Sequence, residues 1–122
     1  MNDAQKILIV DDEENIRRIF KKALEKKNYA VHTAKNAEDA LQKIKNQNYL
    51  LIFSDIFMDE MSGLTLLKEV KKINPQAKIV VMTAQDTMNN TIEAMRTGAY
   101  EYISKPFDFE AVYALVDRKS VV

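Results

Sequence analysis

The chain has 122 residues, 47% of them hydrophobic, with 18 Lys and Arg against 18 Asp and Glu and no cysteine. That length suits one domain with one ordinary core, the balanced charge excludes the basic excess of an electrostatic nucleic-acid or membrane binder, and the missing thiols exclude disulfide frameworks, thiolate metal sites and cysteine nucleophiles. Residues 1–6 lack the basic-then-apolar build of a secretory signal and no apolar run approaches transmembrane length, so the expectation is a cytoplasmic domain that binds neither membrane nor DNA directly.

Along the chain, short continuous apolar runs alternate with helical spacing, the pattern of strands alternating with helices. Ile7-Leu8-Ile9-Val10 reads as the first strand and ends on Asp11-Asp12. Ile16, Ile19, Phe20, Ala23 and Leu24 then form the inward stripe of a helix ending near Asn28, while Arg17, Arg18, Lys21, Lys22, Lys26 and Lys27 form a solvated basic face beside which a partner has room to dock. Residues 29–34 read as a less apolar strand suited to a sheet edge, and the lone His32 on it has a surface role. Asn36 caps a second helix that turns Ala37, Ala40, Leu41 and Ile44 inward.

The third strand, residues 49–54, ends on Asp55. A helix from about Ser62-Gly63 buries Leu66, Leu67, Val70 and Ile73 before Asn74-Pro75 stops it. The fourth strand, residues 78–82, ends on Thr83. A polar approach over residues 85–91, expected to be locally mobile, leads to a weaker helix with Ile92, Met95 and Ala99 inward and Gly98 at its end. The fifth strand, residues 100–104, ends on Lys105, and Asp108 caps a last helix with Val112, Leu115 and Val116 toward the sheet. That short helix runs into Ser120-Val121-Val122, which gives the expectation that residues 1–122 form one domain at the N-terminal side of a longer protein.

Five βα units with almost wholly apolar strands imply an α/β fold, a parallel sheet covered on both faces and doubly wound by right-handed crossovers. A closed βα barrel needs eight units and about twice this length. In the flavodoxin-like order 2-1-3-4-5, strands one and three flank the switch point, where ligands bind outside the carboxyl ends. Asp11, Asp12 and Asp55 fall there. Two carboxylates about 5 Å apart repel by about 3 kcal/mol at an effective dielectric near 20, so such a pocket calls for a cation or a raised pKa. Mg²⁺ is the natural occupant, being hard and oxygen-seeking, whereas zinc lacks its histidine or cysteine ligands. Asp55, from the central strand, is the candidate to attack phosphorus, with Asp12 on the metal and the Thr83 hydroxyl and Lys105 ammonium sharing the charge of an acyl phosphate.

Taken in order, Asp11-Asp12, Asp55 with Met58, Met61 and Gly63, Met82-Thr83-Ala84, and Gly98-Ala99 leading to Tyr102-Ile103-Ser104-Lys105-Pro106-Phe107 resemble the receiver domain of two-component response regulators over essentially the whole chain. The segments around Gly98 and Lys105 look most like receivers of the NtrC-like subfamily, which usually precede an AAA+ ATPase and a DNA-binding domain. The resemblance implies that Asp55 accepts a phosphoryl group from a sensor histidine kinase or phosphotransfer protein, with Mg²⁺ held by Asp12, Asp55 and the backbone carbonyl of Phe57 and reached through water by Asp11. It also implies that Thr83 and Tyr102 act as a switch pair, that Lys105-Pro106 is cis, and that the face built by the fourth helix, fifth strand and fifth helix controls an output domain or pairs two copies. On this reading the chain catalyses only its own phosphorylation and dephosphorylation. One position departs from the pattern: Asp59, beside Glu60, stands where most receivers have proline, which frees the unfolded loop and adds negative charge near the pocket.

Two other classes are weighed against this one. A multiple-turnover aspartyl phosphatase wants a second aspartate two positions after Asp55, where Phe57 stands, and a flavodoxin-like electron carrier wants backbone donors and hydroxyls where the first turn offers acids.

Overall fold

In the computed structural model, which describes residues 5–56, 62–83 and 88–120, five strands and five helices alternate. They are β1 (Lys6–Val10), α1 (Glu14–Glu25), β2 (Ala30–Ala34), α2 (Ala37–Asn46), β3 (Leu51–Asp55), α3 (Gly63–Ile73), β4 (Ile79–Thr83), α4 (Met88–Thr97), β5 (Glu101–Ser104) and α5 (Phe109–Ser120). The strands form one parallel sheet in the order β2-β1-β3-β4-β5, the flavodoxin-like topology expected from the sequence, with β2 at an edge.

Strand alternation sends successive side chains to opposite faces, and each face has its own core. Leu8, Val10, Ile52, Ile79 and Val81 pack with Ala40 and Ile44 of α2, Leu66, Leu67 and Val70 of α3 and Ala94 of α4. Ile7, Ile9, Leu51, Phe53, Val80 and Met82 pack with Phe20 and Leu24 of α1 and Val112, Leu115 and Val116 of α5. Strands buried on both sides explain why their sequences read as continuous apolar runs.

Local chemistry sets the helix ends. Asn36 Oδ1 accepts from the Asp39 N–H at 2.8 Å, Ser62 Oγ from Thr65 N–H at 3.2 Å and Asp108 Oδ1 from Glu110 N–H at 3.0 Å, each satisfying a donor the helix leaves open. Helix α1 stops at Glu25, three residues short of the expected end, and Asn28 takes the left-handed conformation at φ 72° that lets the chain turn into β2. His32 is half-buried and its Nδ1 lies 2.9 Å from the Tyr49 hydroxyl.

Four apolar residues expected to point inward do not. Ile19, Ile73, Ile92 and Met95 are exposed, the last two with 43% and 38% of their surface accessible. Among the described side chains of α4 the buried ones are instead Thr91 and Ala94. Small side chains allow close approach to the sheet, and with so few apolar residues the period of α4 does not set its phase. Of the stretch 85–91 expected to be mobile, residues 85–87 lie outside the described residues and 88–91 form the start of α4.

Candidate functional site

Every strand except β2 ends on a residue singled out by the sequence. Asp11 follows β1, Asp55 closes β3, Thr83 closes β4 and Lys105 follows β5. Parallel register brings these ends to one edge, with Val10 opposite Ser54, Asp55 opposite Met82 and Thr83 opposite Ser104. Carboxylate oxygens of Asp11, Asp12 and Asp55 all lie within 4.8 Å of one another. Lys105 Nζ is 3.1 Å from Asp55 Oδ2 and 3.6 Å from Asp11 Oδ2.

Backbone packing holds this arrangement. The Lys105 N–H donates to the Thr83 carbonyl at 2.7 Å, extending the ladder by one bond and aiming Lys105 across β4 toward β3. The Lys105–Pro106 peptide is cis, as the resemblance implies. Phe107, two residues on, packs edge-to-face on Phe20 with ring centroids 4.9 Å apart, and Phe20 also meets Phe53 at 5.5 Å, so one aromatic cluster ties the lysine loop to the strand carrying Asp55. On the other side Gly63 opens α3 so close to Asp55 that a Cβ there would collide with the Asp55 carbonyl oxygen and come within 2.7 Å of Ile56 Cα. Glycine alone permits that approach.

Asp11 is the most constrained acid. Its N–H donates to Ala34 O at 3.1 Å, its carbonyl accepts from Arg17 Nη1 at 2.8 Å, and its Oδ1 accepts from the Glu13 N–H at 2.9 Å. Oδ2, fully buried, has no hydrogen-bond partner among the described residues, the Lys105 ammonium standing 3.6 Å away. Burial raises the Asp11 pKa from 3.8 to about 6, with the neighbouring Asp55 and Asp12 charges pushing the same way and the Glu13 N–H and Lys105 opposing. Burial would pull the Lys105 ammonium down, but its hydrogen bond to Asp55 and the charges of Asp11 and Asp55 outweigh this and hold its pKa above the usual lysine value.

Three carboxylates against one ammonium among the described residues leave the pocket with excess negative charge, and a buried carboxylate oxygen that accepts no hydrogen bond there is a fitting donor to a metal. Both suit a hard divalent cation better than they suit zinc. Asp12, exposed, completes the trio, while Phe57 and Asp59 lie outside the described residues. Thr83 is buried, its hydroxyl 3.5 Å from the Ile103 carbonyl, a contact at the limit of a hydrogen bond. Tyr102 pairs in register with Val81, two residues before Thr83 and on the same sheet face, and is 46% exposed.

One polar residue of the site escaped the sequence reading. Arg17, assigned to the solvated basic face, turns back to the Asp11 carbonyl. The available signal was its place in the second turn of a helix that starts just after the acids, within reach of their backbone.

A doubly wound sheet gathers three carboxylates, a lysine and a hydroxyl at its carboxyl edge, where α/β domains of this class bind their ligands. The response regulator receiver domain family matches residues 7–117, and the chain belongs to that family. It is 35% identical over 118 residues to the regulatory protein AtoC of Escherichia coli K12, covering 97% of this chain and 26% of that protein, and 36% identical over 115 residues to the transcriptional regulator NtrC of Azospirillum brasilense, covering 94% and 24%. The receiver domain of NtrX from Brucella abortus superposes with a TM-score of 0.88 at 33% identity, covering 93% of this chain and 96% of that one. The chain is thus a response regulator receiver domain related to NtrC-type transcriptional regulators, and it spans about a quarter of the length of the curated relatives it matches. No helix among the described residues is long and apolar enough to cross a membrane.

Proposed function

We propose that Asp55 is the phosphoryl acceptor of this receiver and that Thr83 and Lys105 act directly on the group it receives. The supporting observation is the Lys105 ammonium at 3.1 Å from Asp55 Oδ2, at the mouth of a pocket shared with Asp11 and Asp12. One Asp55 carboxylate oxygen attacks phosphorus of a phosphohistidine on a sensor kinase or phosphotransfer protein. The new O–P bond forms as the P–N bond breaks, and the imidazole leaves with the electron pair. Lys105 balances charge on the resulting acyl phosphate, and Thr83 donates its hydroxyl to a phosphoryl oxygen. Asp12, Asp55 and the Phe57 carbonyl would hold Mg²⁺, with Asp11 reaching it through water, and the ion would supply charge neutralisation for the phosphoryl oxygens. Hydrolysis of the same acyl phosphate resets the domain, so its catalysis is confined to itself.

Drawing Thr83 toward the phosphoryl group exchanges its 3.5 Å contact for a shorter one and frees space on the α4 side for the Tyr102 ring to turn inward. The α4-β5-α5 face then changes shape and controls an output domain or pairs with a second copy, in a cytoplasmic regulator of transcription of which residues 1–122 are the N-terminal domain. Asp55→Asn is expected to abolish labelling by acetyl phosphate in Mg²⁺, with mass spectrometry placing the wild-type phosphoryl group on Asp55. Undiminished labelling of the variant would refute the assignment.

A further inference from the structure

The β1–α1 connection carries two of the three acids, yet the helix that follows it has no side-chain cap: Glu13 occupies the capping position and its side chain bonds no N–H of α1. Arg17 reaches back instead, its Nη1 2.8 Å from the Asp11 carbonyl oxygen, a charge-assisted bond of the short, strong kind. The Asp11–Asp12 peptide is planar, so fixing that carbonyl fixes the plane that also contains the Asp12 nitrogen and Cα. Asp11 is held independently by Ala34 and by the Glu13 N–H. Asp12 is exposed and lies between two fixed peptides, the one after it held by the Glu13 N–H on Asp11 Oδ1 and the one before it held by Arg17.

We infer that Arg17 is a positioning residue for the cation site: by clamping the Asp11–Asp12 peptide from α1, it aims the exposed Asp12 carboxylate into the pocket. The inference rests on the reading of the acid pocket as a Mg²⁺ site. Its sign separates it from simple electrostatics. Removing a positive charge beside a cation site tightens cation binding by Coulomb's law, whereas removing a clamp on a ligand weakens it.

The test follows backbone amide shifts by NMR as Mg²⁺ is titrated into folded wild-type, Arg17→Met and Arg17→Lys proteins at low temperature, where a loss of global stability leaves affinity unaffected. Arg17→Met, which keeps the aliphatic stem, is expected to weaken Mg²⁺ binding roughly tenfold, the lower end of losses from outer-shell residues. Arg17→Lys, which can still donate one hydrogen bond, is expected to recover most of it. Should Arg17→Met fail to fold, Arg17→Gln, too short to reach the carbonyl, carries the same expectation. Unchanged or tighter binding without the guanidinium would overturn the role of Arg17 while leaving the cation site intact. Absence of Mg²⁺-dependent shifts around Asp11, Asp12 and Asp55 in the wild-type protein would instead remove the site itself.

Discussion

Along the carboxyl edge, Asp11 is tied down at its N–H, its carbonyl and its Oδ1 by three hydrogen bonds of 2.8 to 3.1 Å and Gly63 presses α3 onto the backbone of β3, whereas Thr83 is held by its main chain, its carbonyl accepting from Lys105 at 2.7 Å, while its hydroxyl has one contact of 3.5 Å among the described residues, and α4 meets the sheet through Thr91 and Ala94 with Ile92, Met95 and Tyr102 left outside. The β1–β3 half is over-determined and the β4–β5–α4 half is loosely specified. The contrast teaches how one small sheet serves both tasks of a receiver. Phosphoryl chemistry needs carboxylates placed before the donor arrives, and reading the result needs an element with two arrangements of nearly equal energy.

The two glycines offer the strongest way to break that comparison. Gly63→Ala drives a Cβ into the Asp55 carbonyl, a backbone atom that cannot yield, and is expected to cost about 3 kcal/mol or more in urea denaturation. Gly98, after α4, has φ 120° but faces only the Lys71 Cε at 3.4 Å, so Gly98→Ala is expected to cost about 1–2 kcal/mol from backbone strain alone. A larger loss at Gly98 than at Gly63 would reverse the assignment of rigid and loose halves.

Asp11 comes next. Its folded pKa of about 6 exceeds the unfolded 3.8, so the folded state holds this proton more tightly; the contribution favours folding below pH 3.8 and is lost as pH rises through about 6. The difference amounts to at most about 3 kcal/mol. Asp11→Asn, which keeps an acceptor for the Glu13 N–H, is therefore expected to stabilise the Mg²⁺-free domain by about 2 kcal/mol at pH 7.5 and by little at pH 4. Urea midpoints at both pH values check this, and a variant equally stabilised at pH 4 would show that the burial of charge is not the cause.

How far these halves were legible in the sequence differs in the same way. Asp11, Asp12 and Asp55 were readable because they end continuous apolar runs and Lys105 because it ends the fifth strand, and parallel topology alone brings such strand ends together. The caps at Asn36 and Asp108 were readable because a short polar side chain before a helical period has one obvious use. The phase of α4 was not: Ile92 and Met95 repeat at helical spacing as well as Thr91 and Ala94 do, and the choice is made by the space beside β4, which no local pattern encodes. Arg17 was hidden for a related reason, since its period marks it as surface while its partner is a backbone carbonyl, invisible to any side-chain pattern.

On the loose half the expected effects are smaller. Thr83→Val keeps the shape and removes the hydroxyl; a contact of 3.5 Å contributes less than about 1 kcal/mol, so stability should barely move while the amide shifts of α4 and β5 induced by acetyl phosphate and Mg²⁺ diminish. Retained shifts would mean that α4 senses the phosphoryl group by another route. Smallest of all is the double variant Ile92→Ser, Met95→Ser. Side chains 43% and 38% exposed lose little burial on truncation, and stability is expected to change by no more than about 0.5 kcal/mol. A loss above about 2 kcal/mol would mean that these residues hold α4 against the sheet after all. A neutral result would leave their exposed apolar surface to be explained by what the α4-β5-α5 face touches, because an apolar pair that adds nothing to the fold has its effect outside it.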